Sequence, residues 1–280
     1  MTQKFDFAVG RTNPETFPVD KMQRAASIAI EREYEALTNY HGRLGHPELR
    51  AIMATRESER EGVRVNPDSI ALMNGSMQAV TLTAEALTSP GDTIICEEFT
   101  YSGTISAYRS LGIEMVGLPL DNDGMRVDLL ESALDRLGPK RKPKFIYALT
   151  TYQNPSGTVM SLERRGQLIR IAENYDIPIV EDNCYGDVHF DGDKPRALYA
   201  LSDYAKIIYL CSLSKILAPG LRLGYLLARP PIFDQILERR HDAGGNYLAA
   251  AIVAELYRDG VWSLTDHLNE SLRVKKNLVV

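Results

Sequence analysis

The chain has 280 residues, 44% of them hydrophobic and 25% charged, with a formal net charge of −5. That is ordinary globular composition with ample material for a core. Its lysines and arginines form no basic stripe, which disfavours nucleic acid. Its three cysteines are too few and too dispersed for a disulfide framework or a metal cluster, and no apolar run reaches membrane-spanning length. Met1 to Asp6 lacks the apolar stretch of a signal peptide, so a soluble, cytoplasmic protein in a reducing compartment is expected.

In chain order, residues 21–38 and 48–61 carry helical spacing and little strand signal, and residues 1–60 read as an arm with packing helices. Further along, helices are predicted over 77–88, 102–111, 127–137 and 162–175, the last with Ser161 as its N-cap. Strands are predicted over 93–96, 144–149, 177–180, 206–210 and 223–227. Turn signals separate these elements at Ser89-Pro90-Gly91-Asp92, Asp121-Asn122-Asp123-Gly124 and Asn154-Pro155-Ser156-Gly157. Strands this continuously apolar are covered on both faces. The alternation predicts an α/β fold, with a three-layer α/β/α large domain over 61–260 and a mostly parallel sheet. Residues 261–280 read as the start of a helix leading to a further domain.

In such sheets ligands sit at the carboxyl ends of the strands, and the chemically interesting residues fall there. Lys215 follows Ser212-Leu213-Ser214 at the end of a strand, with Arg222 shortly after. A lysine so placed suits covalent attachment of a phosphorylated aldehyde cofactor, with neighbours holding the phosphate. Asn74-Gly75-Ser76-Met77-Gln78 enters a helix, where free amides and the helix dipole favour an anion. Asp182 in Glu181-Asp182-Asn183-Cys184-Tyr185 is a carboxylate able to keep a pyridine nitrogen protonated. Asn154 and Tyr185 can donate to a ring oxygen, and Tyr101 can lie over a flat heteroaromatic ring. Taken singly, each of these has a blander reading as a cap, a turn or core packing.

Gly75-Ser76-Met77-Gln78, Tyr101, Asn154-Pro155-Ser156-Gly157, Asp182 with Tyr185, Ser212-Leu213-Ser214-Lys215 and Arg222 occur together in the order and approximate spacing of fold-type I pyridoxal-phosphate (PLP) enzymes. The chain resembles class I/II aminotransferases, especially the branch of aminoadipate and kynurenine aminotransferases and the aminotransferase-like domains of MocR-type regulators. The resemblance implies a Lys215 Schiff base with PLP, Asp182 at the pyridine nitrogen, and Asn154 and Tyr185 at the ring oxygen. It implies Tyr101 stacked on the ring. Gly75, the Ser76 and Met77 amides, Ser212, Ser214 and Arg222 would form the cofactor cradle. Tyr40 would reach the phosphate of a neighbouring subunit, making a homodimer with shared sites. The implied reaction is ping-pong transfer of an amino group between an amino acid and a 2-oxo acid, with no metal.

In the resembled family a small C-terminal domain supplies an arginine for the substrate carboxylate. Here the sequence stops at Val280, so that domain reads as absent or truncated, and no carboxylate arginine is assigned. Arg11 reads as an exposed charge, and His41 and His189 as structural or surface groups. The alternatives are another PLP reaction on the same scaffold (lyase, decarboxylase or cyclase) and a non-catalytic sensor domain. A nucleotide-binding α/β protein is disfavoured by the lack of a glycine-rich phosphate motif.

Overall fold

The short apolar runs become strands of one seven-stranded sheet. The computed structural model describes Gly10 and residues 12–279; Arg11 and the start of the arm lie outside the described residues. The strands are β1 Ile70–Met73, β2 Thr93–Glu97, β3 Glu114–Leu118, β6 Ile146–Ala148, β7 Ile179–Asp182, β8 Ile207–Ser212 and β9 Gly224–Leu227, with β4 Leu120–Asp121 and β5 Gly124–Met125 forming a separate ribbon. The sheet order is β1-β9-β8-β7-β6-β2-β3. Pairing is parallel from β3 through to β8, while β9 runs antiparallel to both β8 and β1. The reversal follows from the connection: Leu213–Leu223 contains no crossover helix, and a short return gives antiparallel pairing.

The helices are α1 Val19–Leu37, α2 Pro47–Glu61, α3 Ser76–Leu87, α4 Ser102–Ser110, α5 Leu130–Leu137, α6 Leu162–Asn174, α7 Ile232–Glu238, α8 Tyr247–Leu256 and α9 Trp262–Val279. Side chains alternate along each strand and so feed two apolar layers. On β8, Ile208 and Leu210 join residues of α3, α4 and α7, whereas Ile207, Tyr209 and Cys211 join residues of α2, α5, α6, α8 and α9. This is the expected three-layer α/β/α arrangement. Ser161 caps α6, accepting from Arg164 N at 3.4 Å. Among the described residues, no helix is long and apolar enough to cross a membrane.

The sequence reading passed over β1, β3, α7 and α8, and for β3 and α8 the reason is physical. The edge strand β3 is half exposed and carries Glu114 and Gly117, which blunts its apolar signal. Helix α8 buries alanines on several sides against α1 and α2, so it lacks a polar face and a clean helical period. Two strands also run further than expected. β7 continues through Asp182 and β8 through Ser212, because these polar residues still pair in the ladder, Asp182 opposite Leu210 and Ser212 opposite Gly224.

Alternation has its largest consequence at the end of β7, where Glu181 and Asp182 point to opposite faces. Glu181 is fully buried on the α6 side. It faces Arg165 at 3.4 Å and accepts from Thr150 Oγ1 at 2.6 Å and Leu198 N at 2.8 Å. Arg165 in turn donates to the carbonyls of Met160 and Thr150. Removing one partner of such a pair strands a buried charge, at a cost of about 3–5 kcal/mol. Arg165→Met is therefore expected to lower the urea midpoint by that amount of stability with an unchanged denaturant slope.

Candidate active site

Asp182 is 4% exposed and closes β7 on the face that carries α3 and α4. It accepts from Tyr147 Oη at 2.7 Å and from Cys184 Sγ at 2.8 Å. Burial raises its pKa, and the hydrogen bonds from the Cys184 thiol, the Tyr147 hydroxyl and the Cys184 backbone amide oppose that rise. Among the described residues, no lysine or arginine pairs with it. A buried carboxylate supplied with donors but no cation is a place prepared for a positively charged group.

The opposite charge stands across the cavity. Lys215 lies in the turn after β8, with Nζ donating to Gly10 O at 3.2 Å and standing 6.0 Å from the Tyr185 ring centre. Arg222 follows the short helical turn Pro219–Leu221 in a left-handed conformation (φ 53°, ψ 46°), which aims it at the start of α3, where it donates to Asn74 O at 3.2 Å. Among the described residues no carboxylate pairs with either group, so the two basic side chains and the first amides of α3 converge on space suited to an anion.

Two glycines keep that space open. Gly75 has φ 77°, and a Cβ there would lie 2.5 Å from the Arg222 guanidinium. A Cβ on Gly224 would lie 2.9 Å from Ser76 N and 2.6 Å from Cys211 O. Gly75 also brings no side chain to cap α3, so the helix start is left for a ligand. At the far wall, Asn154 Nδ2 donates to Tyr185 Oη at 3.3 Å. Tyr101 stands at the N-terminus of α4, its ring folded back over Gly103, where a Cβ would sit 2.5 Å from it.

These groups surround a cavity of about 500 Å³. Ser76, Met77, Tyr101, Asn154, Asp182, Tyr185, Ser212, Ser214, Lys215 and Arg222 all line it, and Gly75 lies just behind the α3 entrance. Tyr40 does not join them: it is 96% exposed on the outer surface of its own chain. His189 accepts or donates at 2.5 Å to Tyr152 Oη, and His41 stacks on Tyr247. Sequence reasoning missed Tyr147 and Cys184 as partners of Asp182, and Gly103 and Gly224 as spacers. A hydroxyl inside an otherwise apolar buried strand was the available signal for Tyr147, since such a group needs a partner.

The profile of the family described as aminotransferase class I and II matches residues 2–265. Aromatic-amino-acid aminotransferase 1 of Thermococcus litoralis is 37% identical over 224 residues, covering 80% of this chain and 54% of that protein. The chain thus spans about half the length of that curated relative. The crystal structure of a multiple substrate aminotransferase from Thermococcus profundus superimposes with a TM-score of 0.90 at 32% identity, covering 96% of this chain and 68% of that one. The alpha-aminoadipate aminotransferase of Thermus thermophilus, solved with N-(5'-phosphopyridoxyl)-L-leucine, gives 0.86 at 29% identity, covering 94% and 67%.

Behind Asp182, the last residue of β2, Glu97, is buried without a cation among the described residues and accepts from Leu149 N at 2.6 Å. Burial pushes its pKa from 4.5 up to about 7, and the Asp182 charge adds to the rise. Between those values the folded chain holds a proton that the unfolded chain has released, so this group's stabilising contribution falls as pH rises from about 4.5 to about 7. At about 1.4 kcal/mol per unit the loss is roughly 3 kcal/mol. Glu97→Gln is expected to raise the melting temperature relative to the parent more at pH 8 than at pH 5. Equal differences at both values would contradict this account.

Proposed function

Because the chain belongs to the class I and II aminotransferases, we propose that it moves an amino group between an amino acid and a 2-oxo acid by a ping-pong route, with pyridoxal 5'-phosphate as cofactor. One observation carries this reading: among the described residues, a single cavity sets a buried carboxylate without a cation, Asp182, against a lysine, an arginine and a helix start without an anion. A flat group with a protonatable ring nitrogen at one end and a phosphate at the other complements that charge pattern. The close approach enforced by Gly75 and Gly224 leaves room for the phosphate and not for a side chain.

When bound, pyridoxal phosphate supplies an aldehyde carbon that takes an amine and a ring that accepts the electron pair left when an amino acid loses its Cα proton. The protein's own groups do the rest. Lys215 would hold the cofactor covalently, and its amine would take up the proton from the substrate Cα. Asp182 would hold the proton on the ring nitrogen. Asn154 and Tyr185 donate to the ring oxygen, and burial, which raises the Tyr185 pKa, keeps its hydroxyl a donor at neutral pH. Tyr101, which lines the same cavity, would cover one ring face. The Ser76 and Met77 amides, Ser212, Ser214 and Arg222 bind phosphate, with the charge-assisted contact from Arg222 the strongest of them.

The exposed Tyr40 supports a homodimer in which each subunit lends this phenol to its neighbour's phosphate. The three free thiols, Cys96, Cys184 and Cys211, support a reducing, cytoplasmic setting. Residues 61–260 would form the cofactor-binding unit, with 1–60 as arm and packing helices and 261–280 leading onward.

Borohydride reduction of cofactor-saturated protein is expected to add the mass of reduced cofactor to the Lys215 peptide, and Lys215→Ala to abolish both the adduct and the yellow absorbance. An adduct on a different lysine, or none, would overturn the reading. Absorbance should switch when an amino acid is added and return with a 2-oxo acid, a cycle that a lyase or decarboxylase does not complete. Mixing weakened Tyr40→Phe with inactive Lys215→Ala subunits should raise activity to about a quarter of the parental value, because half of the randomly mixed dimers rebuild one intact site.

A further inference from the structure

The hydrogen bonds around Asp182 extend well beyond that side chain. From Oδ2 they run to Tyr147 Oη at 2.7 Å and on to Thr104 Oγ1 at 3.1 Å, on the same helix that begins after Tyr101. From Oδ1 they run to Cys184 Sγ at 2.8 Å and on to Ser76 Oγ at 3.2 Å, at the first turn of α3. An ionised carboxylate only accepts, so Tyr147 and Cys184 donate to it, and Thr104 and Ser76 donate to them in turn. Burial raises the pKa of both Tyr147 and Cys184, and the Asp182 charge adds to each rise, so both remain protonated donors at neutral pH. With the Cys184 backbone amide as a third donor, the carboxylate still keeps a lone pair to offer, and Asp182 lines the cavity.

The other titratable groups that feel Asp182 are Glu97 from β2, Tyr108 from α4 and Tyr185 from the loop after β7. All three are acids and none supplies a cation. The ionised form of Asp182 therefore depends on its hydrogen-bond donors.

We propose that Tyr147 and Cys184 are positioning residues for the cofactor: their paired hydrogen bonds keep Asp182 ionised and facing the cavity, and so place the shared proton on the ring nitrogen rather than on Asp182. The inference rests on the pyridoxal-phosphate reading above. It also links the two ends of the site, since one chain of donors starts at the helix that receives the phosphate and the other at the helix that presents Tyr101. A donor to a buried charge shifts such a proton balance by about tenfold or more. Tyr147→Phe removes only the hydroxyl. The ring stays in its apolar layer, edge-on to Tyr108 with centroids 5.7 Å apart.

The test is the ¹⁵N chemical shift of ring-labelled pyridoxal phosphate bound to the full chain at one fixed pH. The parent is expected at the protonated-ring position, and Asp182→Asn, as the reference, at the neutral position. Tyr147→Phe and Cys184→Ala should each move toward the neutral position, and the double variant further. A purely structural role would leave the shift of loaded protein unchanged, and parental shifts in both single variants would overturn the inference. Should Tyr147→Phe fail to fold, Cys184→Ala and Thr104→Val decide the matter by the same shift. Borohydride labelling of Lys215 in the parent is measured in parallel. Its absence would sink the cofactor reading itself, an outcome distinct from labelled variants with unmoved shifts.

Discussion

The two adjacent carboxylates at the end of β7 organise this molecule. Strand geometry sends Glu181 to one face and Asp182 to the other. Glu181 meets Arg165 and is neutralised within the protein. Asp182 meets hydroxyl, thiol and an open cavity. Both are buried in the same sheet, but among the described residues only one has its counter-charge built in. A desolvated charge left without a cation weakens the fold. Its persistence at the mouth of a parallel sheet marks a position shaped by what binds there.

The opposite end of the cavity is built by close backbone approach more than by side chains. Gly75 and Gly224 let β9, the start of α3 and Arg222 crowd together. The non-glycine left-handed conformation at Arg222 is a local strain that the surrounding packing must hold. Helix dipole, amides and guanidinium then act on one small volume. Charge separation along the cavity, negative at Asp182 and positive at Lys215 and Arg222, follows from strand order, with β7 and β8 neighbours and β9 beyond them, together with the left-handed turn that aims Arg222.

Much of this was legible in the sequence. Apolar runs bounded by turn signals gave the central strands, and the residues just past their ends gave Lys215, Asp182 and Asn154. That reading works because the physics is local: a strand end followed by a polar turn exposes whatever residue sits there. What escaped was non-local. The reversal of β9 depends on the route of its connection. The partnership of Tyr147 with Asp182 depends on the register between β6 and β7, which places Tyr147 opposite Val180 and diagonal to Asp182. Cys184 was visible in the motif, but its thiol matters only because Ser76 approaches from a helix distant in sequence. The edge strand β3 was faint because a half-exposed segment carries half the apolar signal.

The reversed strand has a mechanical side as well. Lys215 and Arg222 occupy one loop, pinned at its base where Ser212 faces Gly224 and Leu213 N donates to Leu223 O at 3.1 Å. The two basic groups are therefore carried by one loop closed at its base, so a displacement of that loop carries both together.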